Sequence, residues 1–361
     1  MTQAFVDTSA RLGRSPVRDR SFVPETPVRH LLPPAPLKPM APAQLAPAAV
    51  APSPELERRR LGQSDLQVFP IALGGNVFGW VTNNDSTTGV LDSYAAAGGN
   101  FLDTADSYSF GRSEIMIGDW MRDNRNRAQM VVSTKVGKSA NNGGVHARAI
   151  IRSVDESLMR LGTDYIDLLY LHIDDDTVPF EETLVAVNDL ICSGKVRHFG
   201  ASNHTANRLI EARVITAQLG ATPMIALQQH YNLINRTEFE GDVARVASQQ
   251  RLAIMPRFAL ASGFLSGKYR SRLAAYRGPR GREIGKMFNR RGVRILSCLD
   301  QIAAEHQVQV ASVALAWLLA KPGVVAPVVS ATSAEQVADL VAAASIRLTR
   351  AQVASLDRAS E

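Results

Sequence analysis

Four side chains in this sequence could together place a proton on an oxygen: Asp103, Tyr108, Lys135 and His172. A free tyrosine has a pKa near 10 and parts with its proton reluctantly around neutrality. An adjacent ammonium stabilises the phenolate and lowers that value. A carboxylate paired with the lysine keeps it charged and oriented, and a neutral histidine can position a carbonyl oxygen within reach of the phenol. The set reads as a general acid, Tyr108, supported by Asp103, Lys135 and His172. A group of this kind protonates a developing alkoxide, which suits the reduction of a carbonyl.

Such residues need a scaffold that delivers them to one place. From Leu61 onward, short β-branched runs alternate with amphipathic stretches. The runs are IALGGN (71–76), NFLDTA (100–105), MVVSTKV (130–136), YIDLLYLH (165–172), VRHFGAS (196–202), MIALQQH (224–230), LAIMPRF (252–258) and VVAPVVSA (324–331). Between them, stretches such as IIRSVDESLMRLG are apolar at helical spacing and closed by glycine. Eight strands with intervening helices predict a (β/α)8 barrel, an α/β fold whose chemistry sits at the C-terminal ends of its strands. Asp103 ends the second run, Lys135 lies in the third and His172 closes the fourth. Ser202 and Asn203 end the fifth, and Gln228 lies in the sixth. An open dinucleotide-binding sheet would need GxGxxG after its first strand, and GGNVFG does not fit that spacing. An N-terminal β-hairpin is expected, turning near Gln63-Ser64-Asp65, and residues 294–321 supply extra helix in the C-terminal half.

The first 54 residues are different material. Rich in Pro and Ala and without period, segment 1–54 reads as a disordered tail ahead of a barrel domain over 55–361. It lacks the order of a secretory signal, and Asp7, Asp19 and Glu25 argue against a transit peptide. The net charge of +6 is scattered, with Arg58-Arg59-Arg60 the one dense basic cluster, so no nucleic-acid partner is expected. No apolar run is long enough to span a bilayer, so no membrane is expected either. The two cysteines, Cys192 and Cys298, form no paired motif, which suits a reducing, cytoplasmic setting. The sequence carries no signal of oligomeric state.

An ordered set of motifs resembles the aldo-keto reductases, in particular the branch related to potassium-channel β subunits. The matching stretches are NFLDTADSY with GRSE, STKVG, DYIDLLYLH, PFEETLVAVNDLICSGKVRHFGASN, LQQHYN and ASGFLSGKY, spread over about 58–345. The resemblance implies an oxidoreductase that reduces a small-molecule aldehyde or ketone, with Tyr108 as proton donor and Asp103, Lys135 and His172 as its partners. It implies NADPH as cofactor, with NADH also compatible, bound extended over the barrel mouth. Ser202, Asn203 and Gln228 would hold the nicotinamide carboxamide. The backbone from Leu260 to Gly263, with Lys268, would wrap the diphosphate, and Ser330, Thr332 and Gln336 would hold the adenosine end. Phe78 and Trp80 are expected to line the substrate pocket.

Two positions depart from the family pattern. Arg257 stands where relatives commonly place an aromatic ring against the nicotinamide, so it is expected either to stack there or to meet an anion, unless a shift of the chain brings Phe258 in. Thr332 stands where many relatives carry a cation for the 2′-phosphate, which weakens the expected preference for NADPH. Two rival readings follow from the residues. One is a metal-dependent hydrolase using His172 with Asp174, Asp175 and Asp176. The other is a cofactor-binding sensor or regulatory subunit with little or no turnover. The basic stretch after Lys268 is expected to be either a lid or merely solvated.

Overall fold

The computed structural model describes residues 57–276 and 280–361, so the expected tail over 1–54 lies outside the described residues. A short antiparallel hairpin comes first, β1 (Arg59–Arg60) and β2 (Gln67–Val68), with Arg59 opposite Val68. Its turn is pinned by the Leu61 amide donating to the Leu66 carbonyl and by Ser64 Oγ donating to the Leu61 carbonyl. Eight parallel strands follow: β3 (Ala72–Gly74), β4 (Phe101–Asp103), β5 (Val131–Val136), β6 (Ile166–Leu171), β7 (Val196–Ser202), β8 (Ala226–His230), β9 (Ala253–Arg257) and β10 (Val328–Val329). From β3 to β8 each strand pairs with the next, ending at β9, and β10 returns to pair with β3. The Ile254 amide donates to the Gly323 carbonyl and the Val325 amide to the Ile254 carbonyl, which joins β9 to the approach of β10 and closes the barrel.

The expected eighth strand, 324–331, is broken rather than continuous. Pro327 has no amide hydrogen to donate, so pairing splits into a bridge at Val324 and a two-residue strand after the proline.

Helices sheathe the barrel: α1 (Asn84–Ala96), α2 (Arg112–Asn124), α3 (Ala147–Leu161), α4 (Phe180–Cys192), α5 (Ala206–Leu219) and α6 (Asp242–Gln249). After β9 come α7 (Arg272–Ala275), α8 (Gly281–Met287), α9 (Arg290–His306) and α10 (Val310–Leu319), then α11 (Ala334–Ala342) and α12 (Arg350–Ala359). Helix α3 shows how sequence fixes an element. Ile150, Val154, Leu158 and Leu161 fall on one buried stripe, and Gly162 ends the helix at φ +63°, a left-handed cap that glycine adopts without strain. The expected extra helix over 294–321 is present as α9 and α10. Among the described residues, no single helix is long and apolar enough to cross a membrane.

Two apolar clusters divide the core. Phe101, Leu168, Tyr170 and Met255 face the barrel interior and meet Leu61, Leu66 and Val68 of the hairpin, which plugs the N-terminal end. Val132, Val136 and Leu169 belong to the larger cluster that also holds the apolar faces of the helices. That division is strand alternation made visible: successive residues point to opposite faces.

Candidate active site

The same alternation delivers the polar groups. On β5, Val131, Ser133 and Lys135 share the inward face, while Thr134 turns outward to Glu114. Asp103 has the inward parity of Phe101, His172 that of Leu168 and Tyr170, Gln228 that of Ala226, and Arg257 that of Ala253 and Met255. An apolar plug therefore gives way, toward the strand ends, to a charged layer.

That layer is tightly bonded. Lys135 Nζ donates to Asp103 Oδ2 at 2.6 Å and to the Thr104 carbonyl at 2.8 Å. Asp103 Oδ1 accepts from Ser133 Oγ at 2.8 Å and from Gln228 Nε2 at 2.9 Å. Lys135 Nζ also stands 5.1 Å from the centre of the Tyr108 ring. Burial alone would lower the lysine's pKa, but the charge of Asp103, with Tyr108 beside it, more than compensates and raises it. Burial raises the Tyr108 hydroxyl above its ordinary range, and the opposing pull of Lys135 does not outweigh this. The lysine thus moderates the tyrosine's pKa without making it low, because Asp103 neutralises much of its charge. His172, 6.2 Å from Tyr108 between ring centres, is pushed down to about 2 by burial and by the charges of Lys135, Lys138 and Arg257. It is a neutral imidazole at any physiological pH.

Tyr108 opens a one-turn 3-10 segment, Tyr108–Gly111, in which Ser109 and Phe110 have positive φ of +51° and +57°. This strained turn is held from behind by the residues after it. Ser113 Oγ donates to the Gly75 carbonyl and shares a 2.8 Å hydrogen bond with Thr104 Oγ1. Glu114, fully buried, accepts from Thr134 Oγ1 and from Arg160 Nε, both at 2.6 Å. The GRSE stretch is therefore an anchor for the tyrosine, a role that the sequence alone did not reveal.

Above this layer lies a cleft of about 670 Å³. Tyr108, His172, Gln228, Asn203, Arg257, Phe258 and Trp80 line one end, and Thr332, Gln336 and Asp339 the other. Leu260, Gly263, Lys268 and Ser330 lie along it. Asn203, at φ +64°, donates to the His172 carbonyl and to Ser202 Oγ, and its Oδ1 accepts from Arg257 Nε and Nη2 at 3.0 and 2.6 Å. Arg257 and Phe258 both face the cleft, 5.1 Å apart from guanidinium carbon to ring centre.

Two expected positions are corrected. Phe78 does not line the pocket: its ring is fully buried in the outer core beside Ile117, because the chain after β3 folds back through a bridge to Thr82. Ser202 is fully buried and reaches the cleft only through Asn203. Lys138 and Arg280 line the cleft without having been singled out in the sequence. The stretch after Lys268 does contribute to the cleft, through Arg280 and Ile284. Asp174 pairs with Arg208, and among the described residues no group of three or more His, Cys, Asp or Glu side chains is gathered for a metal.

The cleft fits an extended nucleotide. Ser262 Oγ is buried without a hydrogen-bond partner among the described residues, beside Gly263, whose φ of +102° opens the backbone there. Lys268 flanks the same turn: a Cβ added at Gly263 would lie 3.4 Å from Lys268 Cε. An orphaned hydroxyl, an open glycine and a lysine suit a diphosphate.

The family model described as the Aldo/keto reductase family matches residues 70–361. A protein named aldo-keto reductase ausK, from Aspergillus calidoustus, is 34% identical over 335 residues, which is 86% of this chain and 83% of that one. A putative aryl-alcohol dehydrogenase, AAD14 of Saccharomyces cerevisiae, is 32% identical over 85% of this chain and 87% of its own. A probable voltage-gated potassium channel subunit beta of Oryza sativa subsp. japonica is 32% identical over 79% and 90%. With a (β/α)8 barrel and a matching model over most of its length, the chain belongs to the aldo/keto reductase family, whose members generally use NAD(P)H, and is an oxidoreductase.

Proposed function

We propose that this protein, on one barrel domain over 55–361, reduces an aldehyde or ketone to the alcohol with Tyr108 as general acid and NADPH as the preferred cofactor. The observation that carries the reading is the convergence of Tyr108, the Lys135–Asp103 pair and a neutral His172 at one end of a cleft suited to a nucleotide along its length. When bound, the nicotinamide supplies a hydride to the carbonyl carbon and is oxidised as the carbonyl is reduced. Tyr108 gives its proton to the carbonyl oxygen as the C=O π electrons move there, and solvent later restores it. Its raised pKa keeps the proton in place until an alkoxide, a far stronger base, develops. Lys135 steadies the phenolate that remains, and Asp103 keeps Lys135 charged and fixed. His172, neutral, orients the carbonyl oxygen.

Asn203 and Gln228 hold the carboxamide end, with Ser202 positioning Asn203. Leu260, Gly263 and Lys268 hold the diphosphate, and Ser330, Thr332 and Gln336 the adenosine end. Trp80 borders the substrate. The relative named as an aryl-alcohol dehydrogenase supports aromatic aldehydes as a first class to try. Two free cysteines, one of them exposed, suit a cytoplasmic location. Arg257's grip on Asn203, together with the relative named as a channel subunit, favours one second reading, a cofactor-binding regulatory subunit.

Turnover with NADPH and NADH against 4-nitrobenzaldehyde, for the wild type and Tyr108→Phe, decides between them. Cofactor oxidation that falls by about 10²–10⁴-fold in the variant supports the reductase. Cofactor binding without oxidation supports the regulatory subunit, and no cofactor binding overturns both.

A further inference from the structure

The substrate end of the cleft carries more positive charge than carbonyl reduction requires. Arg257 spends Nε and Nη2 on Asn203, which leaves Nη1 without a partner among the described residues. Lys138, two residues beyond β5, lines the same cleft and has no hydrogen-bond or ion-pair partner among the described residues. Arg280 stands 5.5 Å from the centre of the Trp80 ring, at the same mouth.

Little acid stands against these charges: Glu238, beside His230, acts on Arg257 from outside the lining. The acidic side chains that line the cleft are Asp103 and Asp339. Asp103 is already held by Lys135, Ser133 and Gln228, and Asp339 lies with Gln336 at the far end. The imbalance is felt locally. Partial burial lowers the pKa of Lys138, and Arg257 and Lys135 lower it further, while Lys138 and Arg257 both depress His172. Like charges held together with little counter-charge favour an anion. A cofactor diphosphate has its own fitting place farther along, at Ser262, Gly263 and Lys268.

We propose that the substrate is a carbonyl compound bearing a carboxylate, held by Arg257 and Lys138 while its carbonyl faces Tyr108 and His172. Trp80 and Phe258, 58% and 40% exposed, line the same cleft and suit a planar body such as an aromatic ring. The proposal rests on the reductase reading above and deepens it.

The test compares 4-carboxybenzaldehyde with methyl 4-formylbenzoate, which differ by one charge at nearly constant shape. The ester is the more activated aldehyde, so a preference for the acid reports binding rather than intrinsic reactivity. In the wild type, kcat/KM for the acid exceeds that for the ester by about tenfold or more, chiefly through KM, and the ratio shrinks in 0.5 M NaCl as screening shortens to a few ångströms. In Lys138→Gln/Arg257→Gln the ratio falls to one or below. A wild-type ratio of one or less, or a ratio unchanged in the double variant, overturns the proposal. Should the double variant fail to fold, Lys138→Gln decides alone, since its side chain is exposed. Should neither aldehyde turn over, the reductase reading fails by itself, and calorimetric binding of the two compounds in the presence of NADP⁺ decides the anion site. Tighter binding of the acid, lost in the variant, supports it, and equal affinities overturn it.

Discussion

Lys135 Nζ stands 2.6 Å from Asp103 Oδ2, and neither side chain is more than 1% exposed. A charge so deeply buried is tolerable only while its partner remains. Asp103→Asn keeps the shape but strands the lysine, and is expected to lower stability by about 3–5 kcal/mol. Urea unfolding measures this. The double variant Asp103→Asn/Lys135→Met, which removes both charges, is expected to recover much of the loss. Equal stabilities for the two variants would show that the pair contributes no coupling.

His172 titrates near 2 in the folded protein, against about 6.5 when unfolded. The folded chain therefore binds fewer protons than the unfolded chain between those values. The stability this provides is complete above about pH 6.5 and is lost as pH falls toward 2. His172→Gln is expected to remove roughly 2 kcal/mol of the decline between pH 6.5 and 4.5. Melting temperatures across that window check it, and an unaltered slope would place the acid sensitivity elsewhere.

Asp106 behaves oppositely. It is 3% exposed, its carboxylate oxygens lack partners of normal hydrogen-bond geometry, and burial followed by the charge of Glu114 pushes it up to about 7. The amides of Gly137 and Ser107 moderate that rise somewhat. Here the folded state binds more protons, so stability falls as pH rises from about 4 to 7, and the full penalty applies above 7. Asp106→Asn, neutral throughout, is expected to gain about 1–3 kcal/mol on the wild type at pH 8 and nothing at pH 4. A difference that does not vary with pH would contradict the burial of an ionised carboxylate there.

At the adenosine end, the Thr332 amide and hydroxyl both donate to Gln336 Oε1, and Asp339 lies nearby without a neighbouring cation supplied by position 332. The wild type is expected to favour NADPH over NADH by less than about tenfold in Kd, a difference of 1.4 kcal/mol. Thr332→Arg is expected to raise that preference about tenfold or more. Fluorescence titration of both cofactors reads the ratio, and a strong wild-type preference would mean that Lys268 or another group supplies the missing charge.

The eight-strand alternation and the inward parity of Asp103, Lys135, His172, Gln228 and Arg257 are local properties, written residue by residue in strand periodicity, and the sequence by itself determined them. The GRSE stretch also stood out in sequence, but its work as an anchor, Glu114 reaching Thr134 on β5 and Arg160 on α3, depends on contacts across 20 and 46 residues. Phe78 looked like pocket lining because it is aromatic and follows a strand end, yet only the path of the folded chain decided that it turns into the core. The run 324–331 read as one continuous strand, and neither its break at Pro327 nor the closing bridge between Ile254 and Val324 was foreseen. The charge balance of the cleft shows the same limit most plainly. Lys138 and Arg257 are 119 positions apart in sequence, and only tertiary packing brings both to line one cleft. Periodicity acts between neighbours along the chain, while electrostatics acts between neighbours in space.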